Sequence, residues 1–254
     1  MPLRIFITGA SSGLGAALAR HYAARGATLG LVARRGDKLA ALCATLPQAT
    51  PYPLDVCDSS AMQAAAADFI ARAGVPDIVI AAAGISVGTL TEQADDLKAF
   101  QAVMNTNVLG TVTAFQPFIL PMRTARRGVL VGVGSVAGIR GLPGGSAYSA
   151  SKAALITYLE SLRVELAGSN IQVTTINPGY IATPMTAVNP YRMPFIMSAE
   201  NAAAKIVRII DQRRAYATIP WQMAITAKLL RMLPRPLYDR LFANAPRKPR
   251  QLPL

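Results

Sequence analysis

Histidine, cysteine and carboxylates are all scarce in this chain. One histidine and two cysteines among 254 residues give no cluster of the ligands that hold zinc or a redox metal, so no metal site is expected. His21 sits in the first helical stretch beside Tyr22 and reads as a packing or surface residue. Cys43 and Cys57 lack any metal-binding or redox spacing and read as unpaired thiols in a reducing compartment. No apolar run approaches the ~18 residues of a membrane span. The first strand-like run begins within a few residues of Met1, which leaves no room for a leader sequence. A cytoplasmic address is expected. Linkers, low-complexity tracts and solenoid repeats are missing too, and 52% hydrophobic content suits one substantial core.

The shortage of acids has its own consequence. Lys and Arg total 26 against 13 Asp and Glu, a net charge of +13. Such an excess suits nucleic acid or an anionic membrane surface. No helix-turn-helix, zinc or aromatic-platform motif supports nucleic acid. From residue 221 onward, Lys228, Arg231, Arg235, Arg240, Arg247, Lys248 and Arg250 follow or interleave with Trp221, Met223, Ile225, Leu229, Leu230, Met232, Leu233, Leu237, Tyr238, Leu241 and Phe242. This pattern predicts a basic amphipathic helix pair over 221–242 within an extension spanning 221–254. Its apolar face covers either the substrate pocket, a subunit interface or an anionic membrane. Trp221, directly after the last strand, is placed to close the pocket.

Strand-like runs recur at Arg4–Thr8, Thr28–Ala33, Thr50–Leu54, Ile78–Ala82, Gly128–Val133, Ile171–Ile176 and Tyr216–Ile219. Helical stretches separate them, beginning at Ala16 and followed by Leu39–Leu46, Ala61–Ala73, Asp95–Pro121, Tyr148–Ala167 and Ala199–Gln212. Strand–helix alternation of this length predicts an α/β fold, a doubly wound sheet of seven parallel strands over 1–220. Ligands of such sheets bind beyond the carboxyl ends of the strands. Asp95-Asp96 reads as a solvated helix start.

Two motifs lie at those ends. The first strand runs into Gly9-Ala10-Ser11-Ser12-Gly13-Leu14-Gly15, a turn whose glycines let a pyrophosphate approach the free N–H groups of the following helix. Further on, Tyr148 and Lys152 stand four apart, on one face of a helix. An ammonium beside a phenol favours the phenolate and brings it toward useful acid–base range. Ser135, thirteen residues upstream, offers a hydroxyl to hold a carbonyl or alcohol oxygen against that phenol.

Together these residues resemble the short-chain dehydrogenase/reductase family over roughly residues 3–220. The resemblance implies a Rossmann fold, a nicotinamide cofactor and a catalytic set of Asn107, Ser135, Tyr148 and Lys152. Thr8, Gly9, Ser11, Ser12, Gly13, Leu14 and Gly15 are then the pyrophosphate turn. Asp55 and Val56 meet the adenine, and Pro178, Gly179, Ile181 and Thr183 hold the nicotinamide carboxamide. Asn107 holds a water in a proton relay through Lys152, which also bonds the nicotinamide ribose and lowers the Tyr148 pKa. Where the family carries N-N-A-G, this chain has Ala81-Ala82-Ala83-Gly84. Ala82 and Gly84 keep the close cofactor approach, while the asparagine side chains that tie neighbouring strands are lost.

The second strand ends in Ala33-Arg34-Arg35, with no carboxylate to repel a 2′-phosphate. Two guanidinium groups suit a phosphate, so NADP(H) is expected, with Ser11 and Ser12 adding hydroxyl contacts. The family's lid position, about 184–198, carries Met185, Met193, Met197, Tyr191 and Phe195. These either wall an apolar pocket or pack the lid on the body; Arg192 is the one group there suited to an anion. The expected activity is reduction of a lipophilic ketone or aldehyde, in a homodimer or homotetramer. Two alternatives remain open: a non-catalytic NADP(H)-binding sensor or scaffold, and a peripheral membrane-associated lipid-metabolising reductase. The resemblance also implies a subunit seam on the Asp95–Pro121 and Tyr148–Ala167 helices, with Phe115, Phe118, Leu155, Leu159 and Leu162 as candidates for it, some of which must face the sheet instead.

Overall fold

The structure is a computed structural model that describes residues 2–251. Met1 and residues 252–254, at the outer ends of the two expected segments, lie outside the described residues. In chain order the elements are β1 (Arg4–Thr8), α1 (Gly13–Ala23), β2 (Thr28–Ala33), α2 (Gly36–Cys43), β3 (Ala49–Pro53), α3 (Ser59–Ala73), β4 (Ile78–Ala81), α4 (Asp96–Met104) and α5 (Gly110–Ala125). There follow β5 (Gly128–Val133), α6 (Ser146–Glu165), β6 (Ile171–Pro178), β7 (Ile181–Ala182), α7 (Pro184–Ala187), β8 (Met197–Ser198), α8 (Ala199–Asp211), β9 (Tyr216–Ile219), α9 (Trp221–Met232) and α10 (Arg235–Phe242).

Seven strands form one parallel sheet in the order β3-β2-β1-β4-β5-β6-β9. The chain leaves β1 toward one edge, then returns to lay β4 against the other side of β1, in register from Ile5 with Ile78 to Thr8 with Ala81. That reversal opens a crevice at the carboxyl ends of β1 and β4, the place where doubly wound sheets bind ligands.

Alternation along each strand feeds two cores. Ile5 and Ile7 join Leu18, Tyr22, Leu39, Ile206 and Ile210 on the face covered by α1, α2 and α8. Phe6 points the other way, to Phe69, Phe115, Phe118, Leu155 and Leu159 on α3, α5 and α6. Fully burying a side chain of this size contributes about 1.5–3 kcal/mol. Phe115, Phe118, Leu155, Leu159 and Leu162 are therefore sheet-facing core residues, all buried, and not the outward seam expected above. The exposed large apolar residues over 95–121 and 148–167 are Leu97, Leu109, Leu120 and Val164.

The long helix expected over Asp95–Pro121 is divided. A single π-helical turn, Asn105–Leu109, separates α4 from α5, and α5 continues past Pro117 and Pro121 to Ala125. The prolines are four apart, so both missing donors fall on one side of the helix. Complete burial of Phe115, Phe118 and Met122 outweighs the lost bonds. At the sheet edge, β3 tolerates Pro51 and Pro53, as an edge strand can.

Candidate active site

At the crevice between β1 and β4, Gly9 has φ +71° and its Cα lies so close to β4 that a Cβ would stand 2.7 Å from the Ala83 backbone nitrogen. The Thr8 hydroxyl accepts from Ala83 N at 3.2 Å. This bond ties the two strand ends together, in a segment where the asparagine side chains of the family are replaced by Ala81 and Ala82. A Cβ on Gly15 would overlap the Gly9 carbonyl, and one on Gly13 would meet the Thr183 side chain at 3.0 Å. The turn is therefore stripped of side chains on the side facing the segment after β6.

Arg34 and Arg35, adjacent in sequence, separate in space. Arg35 donates to the Ser11 hydroxyl at 2.9 Å and the Ser12 hydroxyl at 2.7 Å, fixing a guanidinium beside the glycine turn. Arg34 turns instead toward the Asp55 carboxylate, 3.9 Å away and solvent-exposed. Asp55 also accepts from Cys57 N. Val56 is buried, and its carbonyl accepts from the Thr113 hydroxyl on α5.

The other half of the site lies beyond β5. Ser135 caps a short 3₁₀ turn, Val136–Gly138, accepting from Ala137 N at 3.1 Å. One helical turn into α6, Tyr148 approaches Ser135: burial pushes its phenol above the usual value of 10.0, and the hydrogen bond with Ser135 offsets part of that rise. Lys152 is buried, and desolvation lowers its ammonium to about 8. Its Nζ donates to the Val133 carbonyl at 2.7 Å and lies 5.8 Å from the Tyr148 ring centre. In this arrangement burial sets the direction of the Tyr148 shift, and Lys152 is not among the groups that move it. Burial penalises the phenolate, and the cation that would favour it is itself desolvated and directed at a carbonyl.

Asn107 is fully buried in the π turn between α4 and α5. Its Oδ1 accepts from Ile85 N at 2.8 Å, and Nδ2 donates to Ile85 O and to the Ser151 hydroxyl. The widened turn is what points this side chain inward, consistent with the frequent use of such turns at functional sites. Asn107 Oδ1 and Lys152 Nζ both face the open side of Gly84, 3.1 and 3.6 Å from where a Cβ would stand. Gly84 keeps that space free.

Beyond β6, Pro178 ends the strand and Gly179 N donates to Ile219 O at 2.8 Å, with Met223 of α9 packed against Gly179. Ile181 is buried in β7, and Thr183 caps α7 with its N–H bonded to the Thr186 hydroxyl. The segment expected as a lid is pinned at its base by pairing of β7 with β8, a two-stranded element too short to read from sequence. Tyr180 packs edge-on against Tyr191 at 6.5 Å, and burial, with smaller contributions from Tyr180 and Tyr148, raises the Tyr191 pKa. An aromatic pair thus joins the approach to strand β7 to the segment after α7; Tyr180 had no role in the sequence reading. Phe195 and Ile196 face solvent. Trp221 is 67% exposed and closes nothing. Asn177, beside the loop that carries Ser135, is fully buried with no side-chain hydrogen-bond partner among the described residues.

A doubly wound sheet with a bare glycine turn at its switch point and a Ser–Tyr–Lys cluster across the crevice has the architecture of a nucleotide-dependent oxidoreductase. The sequence model described as short chain dehydrogenase matches residues 4–192. An "uncharacterized oxidoreductase" of Myxococcus xanthus is 39% identical over 237 residues, covering 92% of this chain and 93% of the relative. Among solved structures, a short chain dehydrogenase from Burkholderia cenocepacia in complex with NADP superposes with a TM-score of 0.81 at 26% identity, covering 94% of this chain and 97% of the other. A 3-oxoacyl-[acyl-carrier protein] reductase from Brucella melitensis with bound NAD gives 0.74 at 29% identity, over 85% and 89% of the two chains. The chain belongs to the short-chain dehydrogenase/reductase family, as an oxidoreductase.

Proposed function

We propose that this oxidoreductase uses NADP(H) to interconvert a ketone or aldehyde with an alcohol, working chiefly as a reductase of lipophilic carbonyl compounds. The observation that carries the reading is the convergence of Ser135, Tyr148, Lys152 and Asn107 on one end of the sheet, across from the glycine turn. The residues present fit a dinucleotide: Gly9, Gly13 and Gly15 leave a cradle that Cβ atoms would fill, and Gly84 leaves open space facing Asn107 and Lys152. Thr8 to Gly15, with Ser11, Ser12 and Leu14, would hold the pyrophosphate. Asp55 and Val56 would border the adenine; Ala82, Gly84, Pro178, Gly179, Ile181 and Thr183 would border the nicotinamide half. Arg35, already aligned by two serines, favours a 2′-phosphate, and Arg34 can swing from Asp55 to join it. Neighbours of the family bind either cofactor, so the choice rests on these arginines.

When bound, the cofactor supplies or accepts the hydride. Tyr148, held protonated by burial, gives its proton to the developing alkoxide, while Ser135 donates a hydrogen bond to the same oxygen. General acid catalysis of this kind contributes roughly 10²–10⁴-fold. Lys152 re-aims from Val133 toward the ribose and phenol, and the free lone pair of Asn107 Oδ1 accepts from a water that links this lysine to solvent. The aromatic pair Tyr180 and Tyr191 suits an apolar substrate. The test is a panel of lipophilic ketones and aldehydes offered with NADPH and with NADH, followed by cofactor absorbance. Turnover with NADPH that Tyr148→Phe abolishes supports the reading. Tight NADPH binding without turnover of any carbonyl would favour a sensor or scaffold instead.

One further observation favours a peripheral membrane role for the extension. On α9, Met223 and Ala227 are buried while Trp221, Ile225, Leu229 and Met232 form an exposed apolar stripe beside Lys228 and Arg231. Such a face suits anionic lipid. No helix among the described residues is long and apolar enough to cross a membrane. Co-sedimentation with anionic vesicles, lost at high salt and on Trp221→Glu, tests this; a second copy of the chain on the same stripe would instead give concentration-dependent mass without vesicles.

A further inference from the structure

The last basic residues of the chain are anchors. The Pro249 carbonyl accepts from Gly88 N at 2.9 Å. Lys248 Nζ donates to the Met185 carbonyl at 3.0 Å. Arg250 grips Asp96 with two bonds, Nε to Oδ2 at 2.7 Å and Nη2 to Oδ1 at 3.2 Å. Asp96 is thus buried at 5% exposure, and not the solvated helix start that its sequence suggests. It also accepts from Leu90 N, and the Arg250 guanidinium holds its carboxyl below the usual value.

The body is shaped to receive this segment. Gly88 is buried, and a Cβ there would overlap the Lys248 carbonyl. Gly144 has φ +70°, and a Cβ there would stand 2.7 Å from the Arg247 side chain. The anchoring points belong to three different segments. Gly88 and Asp96 follow β4, Gly144 follows β5 and precedes Tyr148, and Met185 lies two residues beyond Thr183 in the lid. These three segments leave the carboxyl ends of β4, β5 and β6, where Asn107, Ser135 and Tyr148 converge. A stretch of chain fastened to all three crosses the opening they enclose. Upstream, the extension is held by Arg140, which donates to the Leu230 and Leu233 carbonyls and stacks on Tyr238 at 4.0 Å.

We propose that residues 247–250 form a strap roofing the substrate cleft, latched by Arg250 on Asp96, and that this strap decides how bulky a molecule can reach Ser135 and Tyr148. The inference rests on the reading of that cleft as the substrate site. A small carbonyl compound enters beside the latched strap; a large one enters only when the strap lifts. Lys248, held by a single carbonyl and lowered to about 8 by burial, loosens its own end of the strap as pH rises through that value.

The test needs neither turnover nor cofactor. Ser135→Cys places a thiol on the cleft floor, and its labelling by iodoacetamide and by a pyrene maleimide is timed by mass spectrometry, which separates it from Cys43 and Cys57. Arg250→Gln releases the latch, and Gly88→Val evicts the strap sterically; trypsin cleavage after Arg247 reports release in each. The expected result is that the pyrene reagent labels roughly tenfold or more faster in both released proteins, the scale of losing a charge-assisted hydrogen-bonded pair, while iodoacetamide changes little. Equal pyrene labelling with the strap latched and released would overturn the proposal. So would a tail that stays trypsin-resistant in both variants, because the anchors would then be wrong. A failure of the carbonyl-reductase reading leaves this measurement intact and shows itself separately, as absence of turnover in the wild-type protein.

Discussion

Lys152 donates its ammonium to the carbonyl of Val133, the last residue of β5, across 2.7 Å. The bond fixes the lysine along the inner edge of the crevice and leaves Tyr148 with Ser135 as its polar neighbour. In this arrangement burial governs both titrations, in opposite directions for acid and base.

For Tyr148 the expected outcome is a phenol that titrates above 10.0 in the protein without cofactor. The difference between wild-type and Tyr148→Phe ultraviolet titrations isolates this group. An inflection below that value would mean that Lys152, not burial, controls the phenol. The same substitution removes only the hydroxyl, so turnover should fall by roughly 10²-fold or more while cofactor affinity stays near wild type.

For Lys152 the linkage sign runs against stability. Its folded value of about 8 lies below the ordinary 10.5, so between these values the unfolded chain binds more protons than the native one. Wild-type stability therefore rises with pH across that window, and the penalty of the buried ammonium is fully present below about 8. Lys152→Met should raise the melting temperature most near pH 7, and the gap to wild type should narrow toward pH 10. A gap independent of pH would refute the assignment.

The two arginines after β2 should behave differently. Arg35 is aligned by Ser11 and Ser12, so Arg35→Ala should weaken NADPH by about 1.5–3 kcal/mol, the scale of a charge-assisted contact, with NADH little changed. Arg34 is exposed and partnered by Asp55, and Arg34→Ala should cost less. Calorimetric titration with both cofactors decides; a wild-type preference for NADH would overturn the NADP(H) reading.

Gly9→Ala should unfold or strongly destabilise the crevice. The left-handed backbone alone costs about 1–2 kcal/mol for a residue with a Cβ, and that Cβ would overlap the Ala83 backbone at 2.7 Å. Thermal melts should show the loss without ligand, and nucleotide affinity should fall with it.

Assembly is expected through the outward faces of α5 and α6, where Leu120 is 73% and Val164 63% exposed. A dimer or tetramer by light scattering should become monomeric in Leu120→Glu combined with Val164→Glu. Leu159→Glu should instead unfold the protein, since that residue lies in the core.

Much of this molecule was legible in its residues. The seven strands, the glycine turn and the placing of Tyr148 and Lys152 on one helical face are local matters of periodicity, turn chemistry and a four-residue spacing, which do not depend on distant neighbours. Other features depended on contacts remote in sequence. The sheet-facing direction of Phe115 and Leu159 depends on which side of α5 and α6 meets the strands. The π turn at Asn107 has no side-chain signature, and the helix expected to stop at Pro121 is carried on to Ala125 by core packing. The parting of Arg34 from Arg35 is decided by serines 23 and 24 residues upstream of Arg35 and by Asp55. Arg250 reaches Asp96 across 154 residues, so the end of an extension that reads as basic and amphipathic becomes, in the folded chain, a segment fastened to the body. Periodicity determined the elements, and the motif residues with the family they resemble implied the chemistry. Only the tertiary structure decided which charges pair and which faces are hidden, because pairing and burial are properties of residues brought together by the whole fold.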